Sequence, residues 1–125
     1  MFSHVMIGTN DLDRAKAFYD AVLGTLGVPP AKLDGHRMFY MTDAGIFSVS
    51  KPINGAPATP PNGGTIGFAA TSPAQADAWH AAGVANGGTS CEDPPGVRDG
   101  SLGKLYLAYL RDPDGNKLCA LHRMS

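Results

Sequence analysis

Apolar and polar positions alternate over residues 2–9 (FSHVMIGT). Phe2, His4, Met6 and Gly8 fall on one side of an extended chain, and Ser3, Val5, Ile7 and Thr9 on the other, which predicts a strand. The period then changes. Leu12, Ala15, Phe18, Tyr19, Val22, Leu23 and Leu26 recur every three or four residues, the single apolar stripe of a helix. Asn10 stands as the expected N-cap, and Asp11 and Asp13 place negative charge in the first turn, where the helix dipole favours it. Gly24, Gly27 and Pro29-Pro30 end the helix. Residues 37–42 (RMFYMT) and 46–50 (IFSVS) read as a hairpin around Asp43-Ala44-Gly45. Residues 65–70 (TIGFAA) are a strand, and Ser72-Pro73-Ala74-Gln75 opens a second helix with a capping box and Pro at its first position. That helix carries Trp79 and ends at Gly87-Gly88. Residues 104–111 (KLYLAYLR) and 117–122 (KLCALH) are strands about the turn Asp112-Pro113-Asp114-Gly115-Asn116. The order is β-α-β-β-β, then β-α-(β)-β-β, an α+β domain.

The order suggests a duplication, and an offset of 61 lays residues 4–27 over 65–88. Ala15 then falls on Ala76, Phe18 on Trp79, Ala21 on Ala82, Gly27 on Gly88 and His4 on Thr65. Alanine matches are cheap in this chain, so the shared aromatic and the terminal Gly carry the comparison. Residues 1–52 and 63–125 form the two copies within one domain, 1–125.

Composition alters the picture little. The chain has 125 residues, of which 16 are Gly and 10 Pro, a share high enough to raise the question of disorder. They gather in residues 51–64 and 83–103, between periodic segments, and so punctuate a folded chain. A net charge of −1 gives no electrostatic case for nucleic acid, and no apolar run is long enough to span a bilayer. Two cysteines, Cys91 and Cys119, make no disulfide framework, which points to a reducing cytoplasm.

His4-Val5-x-Ile7, followed by Asn10-Asp11-Leu12-Asp13-Arg14-Ala15-x-x-Phe18-Tyr19 and Leu23-Gly24, resembles the opening of the vicinal-oxygen-chelate superfamily. That group includes glyoxalases, bleomycin-resistance proteins and extradiol dioxygenases. Arg111-Asp112-Pro113-Asp114-Gly115-Asn116-Lys117 resembles its closing hairpin, so the likeness runs from His4 to His122. It implies two βαβββ modules whose sheets form a cup, usually completed in a homodimer. It also implies four inward-facing positions that hold a divalent metal (Zn, Ni, Mn or Fe) in the metal-dependent members. Carried over, these positions are His4, Ser48, Thr65 and Cys119, where such members have His and Glu; Phe47 is the alternative to Ser48. One imidazole and no carboxylate make a poor ligand set.

Two functions follow from these residues. One is a metal-independent member that binds a small organic molecule in the cup. The other is a glyoxalase-type lyase or isomerase, like lactoylglutathione lyase, with an atypical metal or thiol site around His4 and Cys119. The lost ligands favour the first, with no cofactor. His4 could polarise a ligand or be a half-buried relic; Cys119 could be a nucleophile, although a buried Cys is usually a small hydrophobe. Ser48, Thr65, Tyr106 and Tyr109 are candidate ligand contacts, with Arg98 and Arg123 suited to an anionic group. Strand tyrosines are first of all core packing, and chain-end arginines are commonly solvated. His36-Arg37 and His122 invite the same two readings, while His80 reads as a solvent-facing helical residue. The loop from Cys91 to Asp99 is long and charged, as loops that close over binding sites often are.

Overall fold

The computed structural model describes residues 1–124. In the first module β1 (His4–Gly8) leads into α1 (Leu12–Gly24), then β2 (Lys32–Asp34), β3 (Arg37–Thr42) and β4 (Gly45–Ser50). In the second, β5 (Ile66–Ala69) leads into α2 (Pro73–Ala85), then β6 (Thr89–Ser90), β7 (Gly96–Gly100), β8 (Gly103–Arg111) and β9 (Lys117–Arg123). The sheets have the same plan. One runs β1-β4-β3-β2; the other runs β5-β9-β8, with β6 and β7 on successive lengths of the outer edge of β8. In each, the first strand pairs parallel to the last, and the remaining pairs are antiparallel. The helices, 12–24 and 73–85, stand 61 residues apart, as the internal match requires.

The α1 start differs from the expected one. Asp11 is the N-cap, its carboxylate accepting from the Arg14 N–H at 3.0 Å. Asn10 is drawn elsewhere: its side-chain oxygen accepts from the Ala58 N–H at 2.7 Å, and its Nδ2 donates to the Ala58 carbonyl at 3.1 Å. Both peptide groups of one loop residue are thereby tied down, which fixes the 51–64 segment against β1. The α2 start follows its expected cap. Ser72 accepts from the Gln75 N–H at 3.0 Å, and Gln75 Oε1 accepts from the Thr71 N–H at 2.7 Å. Gln75 Nε2 also donates to the Thr25 carbonyl at 3.2 Å, joining the start of α2 to the end of α1.

One core serves both modules. Phe18, Tyr19 and Val22 from α1 are fully buried with Val49, Trp79, Leu110 and Leu118. Each such side chain contributes about 1.5–3 kcal/mol when buried. Phe47 of β4 and Phe68 of β5 meet edge to face across the seam, ring centroids 5.2 Å apart. The paired glycines of the internal match have different reasons for being Gly. Gly27 adopts φ +83°, whereas a Cβ on Gly88 would lie 2.5 Å from Phe18 and 3.1 Å from the Arg111 carbonyl oxygen.

Candidate functional site

Each sheet has one face under a helix and one face free, and strand alternation assigns residues between them. On the first sheet Val5, Phe47, Val49, Met38 and Tyr40 turn to the helix side. Register then puts His4, Met6, Ile46, Ser48, Phe39 and Met41 together on the free side. On the second sheet Ile66, Phe68, Leu118, Ala120 and Leu110 face the helix, while Gly67, Cys119 and Tyr109 lie in one row of the free face. Thus His4, Ser48, Cys119 and Tyr109 all lie on helix-free faces. Ser48 is fully buried there and donates to the Val5 carbonyl at 3.3 Å. His4 is exposed, with Ser3 Oγ 2.8 Å from its Nδ1. Thr65, also exposed, lies just before β5 rather than in it.

The charged part of the free face surrounds Tyr109. Lys117 Nζ lies 5.1 Å from the centre of the Tyr109 ring and forms an ion pair with Glu92. The hydrogen bond from Lys117 to Glu92 raises the ammonium pKa. Burial pushes the Cys119 thiol up, with the Glu92 charge adding to it and hydrogen bonding to Tyr109 opposing it. Cys119 is 5% exposed, and at neutral pH it is a protonated thiol rather than a nucleophilic thiolate. Burial likewise raises the Tyr109 phenol, which stays a neutral donor.

Glu92 is the functional group that residue patterns missed. Among the described residues it is the one non-glycine with positive φ, at 56°. Arg98 stabilises that loop by donating to the carbonyls of Asp93 and Pro94 at 3.2 and 2.8 Å. No local sequence signal marks a glutamate for the left-handed region, where Gly or Asn is the ordinary choice.

Other candidates are separated from this face or already engaged. Tyr106 lies on the helix side, two residues from Ala108, and donates to Asp77 of α2 at 2.7 Å. Arg123 donates to the Leu102 carbonyl at 2.8 Å, fastening the β7–β8 turn. His122 Nδ1 lies 3.0 Å from the Ala70 carbonyl oxygen, and His80 Nε2 lies 2.9 Å from Ser90 Oγ. Among the described residues no group of three or more His, Cys, Asp or Glu side chains is placed to hold a metal ion. Nor is any helix long and apolar enough to cross a membrane.

A family model described as Glyoxalase/Bleomycin resistance protein/Dioxygenase superfamily matches residues 1–120. A crystal structure of a glyoxalase/bleomycin resistance protein from Albidiferax ferrireducens T118 is 67% identical, with a TM-score of 0.97, over 98% of this chain and 99% of that one. A lactoylglutathione lyase from Agrobacterium tumefaciens shares the fold at 23% identity and a TM-score of 0.67, over 98% of this chain and 92% of that one. A glyoxalase-related enzyme from Fulvimarina pelagi shares it at 18% identity and a TM-score of 0.75, over 98% and 88%. No curated protein matches. The two like-ordered sheets, the two helices and the match over nearly the whole length lead to one conclusion: the chain belongs to the glyoxalase/bleomycin resistance/dioxygenase superfamily.

Proposed function

We propose that the protein binds a small organic molecule on its helix-free faces and does so without a divalent metal. The donor set carries this reading. His4 supplies one imidazole; Ser48 and Thr65 supply neutral hydroxyls; Cys119 supplies a thiol whose pKa is raised by burial. Divalent metals of the Zn, Ni, Mn and Fe series call for imidazole, thiolate or carboxylate, so this set does not fit one. Glu92, whose charge bears on Cys119, is engaged by Lys117, so the lyase alternative has no free carboxylate base there.

The free face of the second sheet suits a ligand held by shape and a few hydrogen bonds: Tyr109 and Cys119 are neutral donors beside the Leu107–Leu121 pair. A homodimer would cover it, and Met6 and Met41, 44% and 48% exposed on the first sheet, are apolar surface fit for such contact. Cys91 and Cys119 are both free, which suits a reducing cytoplasm.

The test is metal content after purification without chelator, together with a hemithioacetal isomerisation assay. Far less than one metal per chain and no isomerisation above background are expected. One metal per chain, with isomerase activity abolished by His4→Ala, would overturn the reading in favour of the lyase.

A further inference from the structure

A cavity also opens between the edge strands β1 and β5. It has a volume of about 340 Å³ and lies at the seam between the modules, among β1, the β3–β4 turn, the end of α1 and β5. Val5, Phe47, Phe68 and Leu26 from the helix side form its apolar walls, and His4, Ile46, Gly67 and Ala69 border it where the edge strands β1 and β5 face each other; Ser48, Cys119 and Tyr109 do not line it. No Asp, Glu, Lys or Arg lines it, and His4 is its one imidazole.

The internal symmetry explains why space is left there. At the opposite end of the seam the β8–β9 turn docks on the β1–α1 junction. Asp114 accepts from Thr9 Oγ1 and from the Asn10 N–H, and Asn116 Nδ2 donates to the Gly8 carbonyl at 3.1 Å. The symmetry-related turn, Asp43-Ala44 between β3 and β4, is shorter, and among the described residues it forms no hydrogen bond to the β5–α2 junction. Thr42, Ala44 and Gly45 border the cavity instead.

The cavity also has polar groups to offer. β1 and β5 are edge strands with one neighbour each. The Thr9 N–H donates to Ser50 and the Ser3 carbonyl accepts from Ile46, so odd residues of β1 turn their peptide groups toward β4. Those of His4 therefore face the seam. The Ala70 N–H donates to Leu121, so even residues of β5 turn toward β9, and the peptide groups of Gly67 and Ala69 face the seam. The side-chain hydroxyls at the site are already engaged, Ser3 with His4 Nδ1 at 2.8 Å, Tyr40 with Asp20 at 2.8 Å and Thr42 with the Gly45 carbonyl at 2.8 Å.

We infer that the open end of this seam binds a small, uncharged aromatic molecule bearing a hydroxyl, carbonyl or amide group. Its ring stacks among Phe47, Phe68 and Leu26, and its polar group pairs with the exposed peptide edge of Gly67 and Ala69. With no carboxylate, Lys or Arg to pair with it, a charged group would lose its hydration largely uncompensated, which favours an uncharged ligand. The volume lies at the small end of ligand pockets and suits a one- or two-ring molecule.

The test uses 1-naphthol titrated into ¹⁵N-labelled full-length protein, followed by amide shifts and by calorimetry. Saturable binding is expected, with the largest shifts at His4, Gly67 and Ala69. Val28→Phe and Ala44→Phe, each filling the cavity from a different wall, should weaken it by about tenfold or more, an effect of about 1.4 kcal/mol. Tyr109→Ala, on the helix-free face, should leave the affinity unchanged, and 1-naphthoate should bind at least about tenfold more weakly. Absence of saturable binding, or indifference to both filling variants, overturns the inference. Shifts centred on Cys119 and Leu107 with loss on Tyr109→Ala also overturn it, while supporting the helix-free face as a ligand site.

Discussion

The two ends of the seam between modules are built from corresponding turns, and they have come to differ. At one end Asp112-Pro113-Asp114-Gly115-Asn116 reaches across to the first module and closes the joint with polar contacts, Asp112 being buried. Tyr19 donates to Asp112 at 2.5 Å, Asn116 donates to the same carboxylate at 2.9 Å, and Arg14 pairs with Asp114 at 2.9 Å. At the other end two residues turn the chain and nothing reaches across, so apolar walls are left facing a cavity. A duplicated fold therefore need not use its two halves alike. One turn has become a structural clamp, and its counterpart leaves room for a ligand. Burial raises the Tyr19 phenol, with the adjacent Asp112 charge adding to the effect, so this hydroxyl remains a donor throughout the physiological range.

The largest break in this comparison should come from Asp112→Ala. Asp112 is 4% exposed and also accepts from the N–H groups of Asp114 and Asn116, so its removal leaves several buried donors without partners. A loss of about 3 kcal/mol in urea unfolding is expected, against no more than about 0.5 kcal/mol for Asp43→Ala in the exposed turn at the open end. Equal losses at the two ends would show that the clamp is not where the polar contacts place it.

Asp114→Ala should come next, at about 2 kcal/mol. The Asp114 side chain is 3% exposed and takes bonds from Thr9, Asn10 and Arg14. Arg14 is 47% exposed on its side chain, so Arg14→Ala should cost only about 0.5 kcal/mol and respond to salt. If the two variants cost the same, the ion pair rather than the hydrogen bonds to β1 and its exit holds the clamp.

This asymmetry was half legible in the residues. Local signals were readable: the α2 cap needs only Ser72 and Gln75, and alternation alone placed His4 and Cys119 on strand faces. The α1 cap was misplaced by one residue because Asn10 is held by Ala58, 48 positions away in the chain, a partner no local pattern shows. β2 went unlocated because all three of its residues are exposed and carry no alternation. β6 and β7 lie in the Gly/Pro-rich stretch 83–103, where pairing with β8 makes them strands. Among site residues, Glu92 depends on a left-handed backbone, and the seam cavity depends on a turn that fails to fill a space. Neither has a residue signature.

At the open end Tyr40→Phe should cost less than the loss of either clamp carboxylate, and its effect carries a pH signature. Burial alone would raise the Asp20 carboxyl, but bonds from Lys16 at 2.6 Å, the Ala31 N–H at 3.1 Å and Tyr40 at 2.8 Å outweigh it and hold the pKa below the ordinary value. Burial and the same bond push the Tyr40 phenol far upward, so it donates at every accessible pH. A depressed carboxyl stabilises the folded state above its ordinary pKa of about 4, and the contribution is lost as pH falls through the lower folded value. Removing the hydroxyl withdraws one of three donors to the carboxylate, so the variant should be less stable by about 1 kcal/mol at pH 7. That gap should narrow as Asp20 is protonated in acid. Urea unfolding of both proteins at neutral pH and near pH 3 measures it. A gap that persists in acid would mean that the Tyr40 hydroxyl acts through its place in the cavity wall rather than through Asp20, making the open end a polar joint of its own.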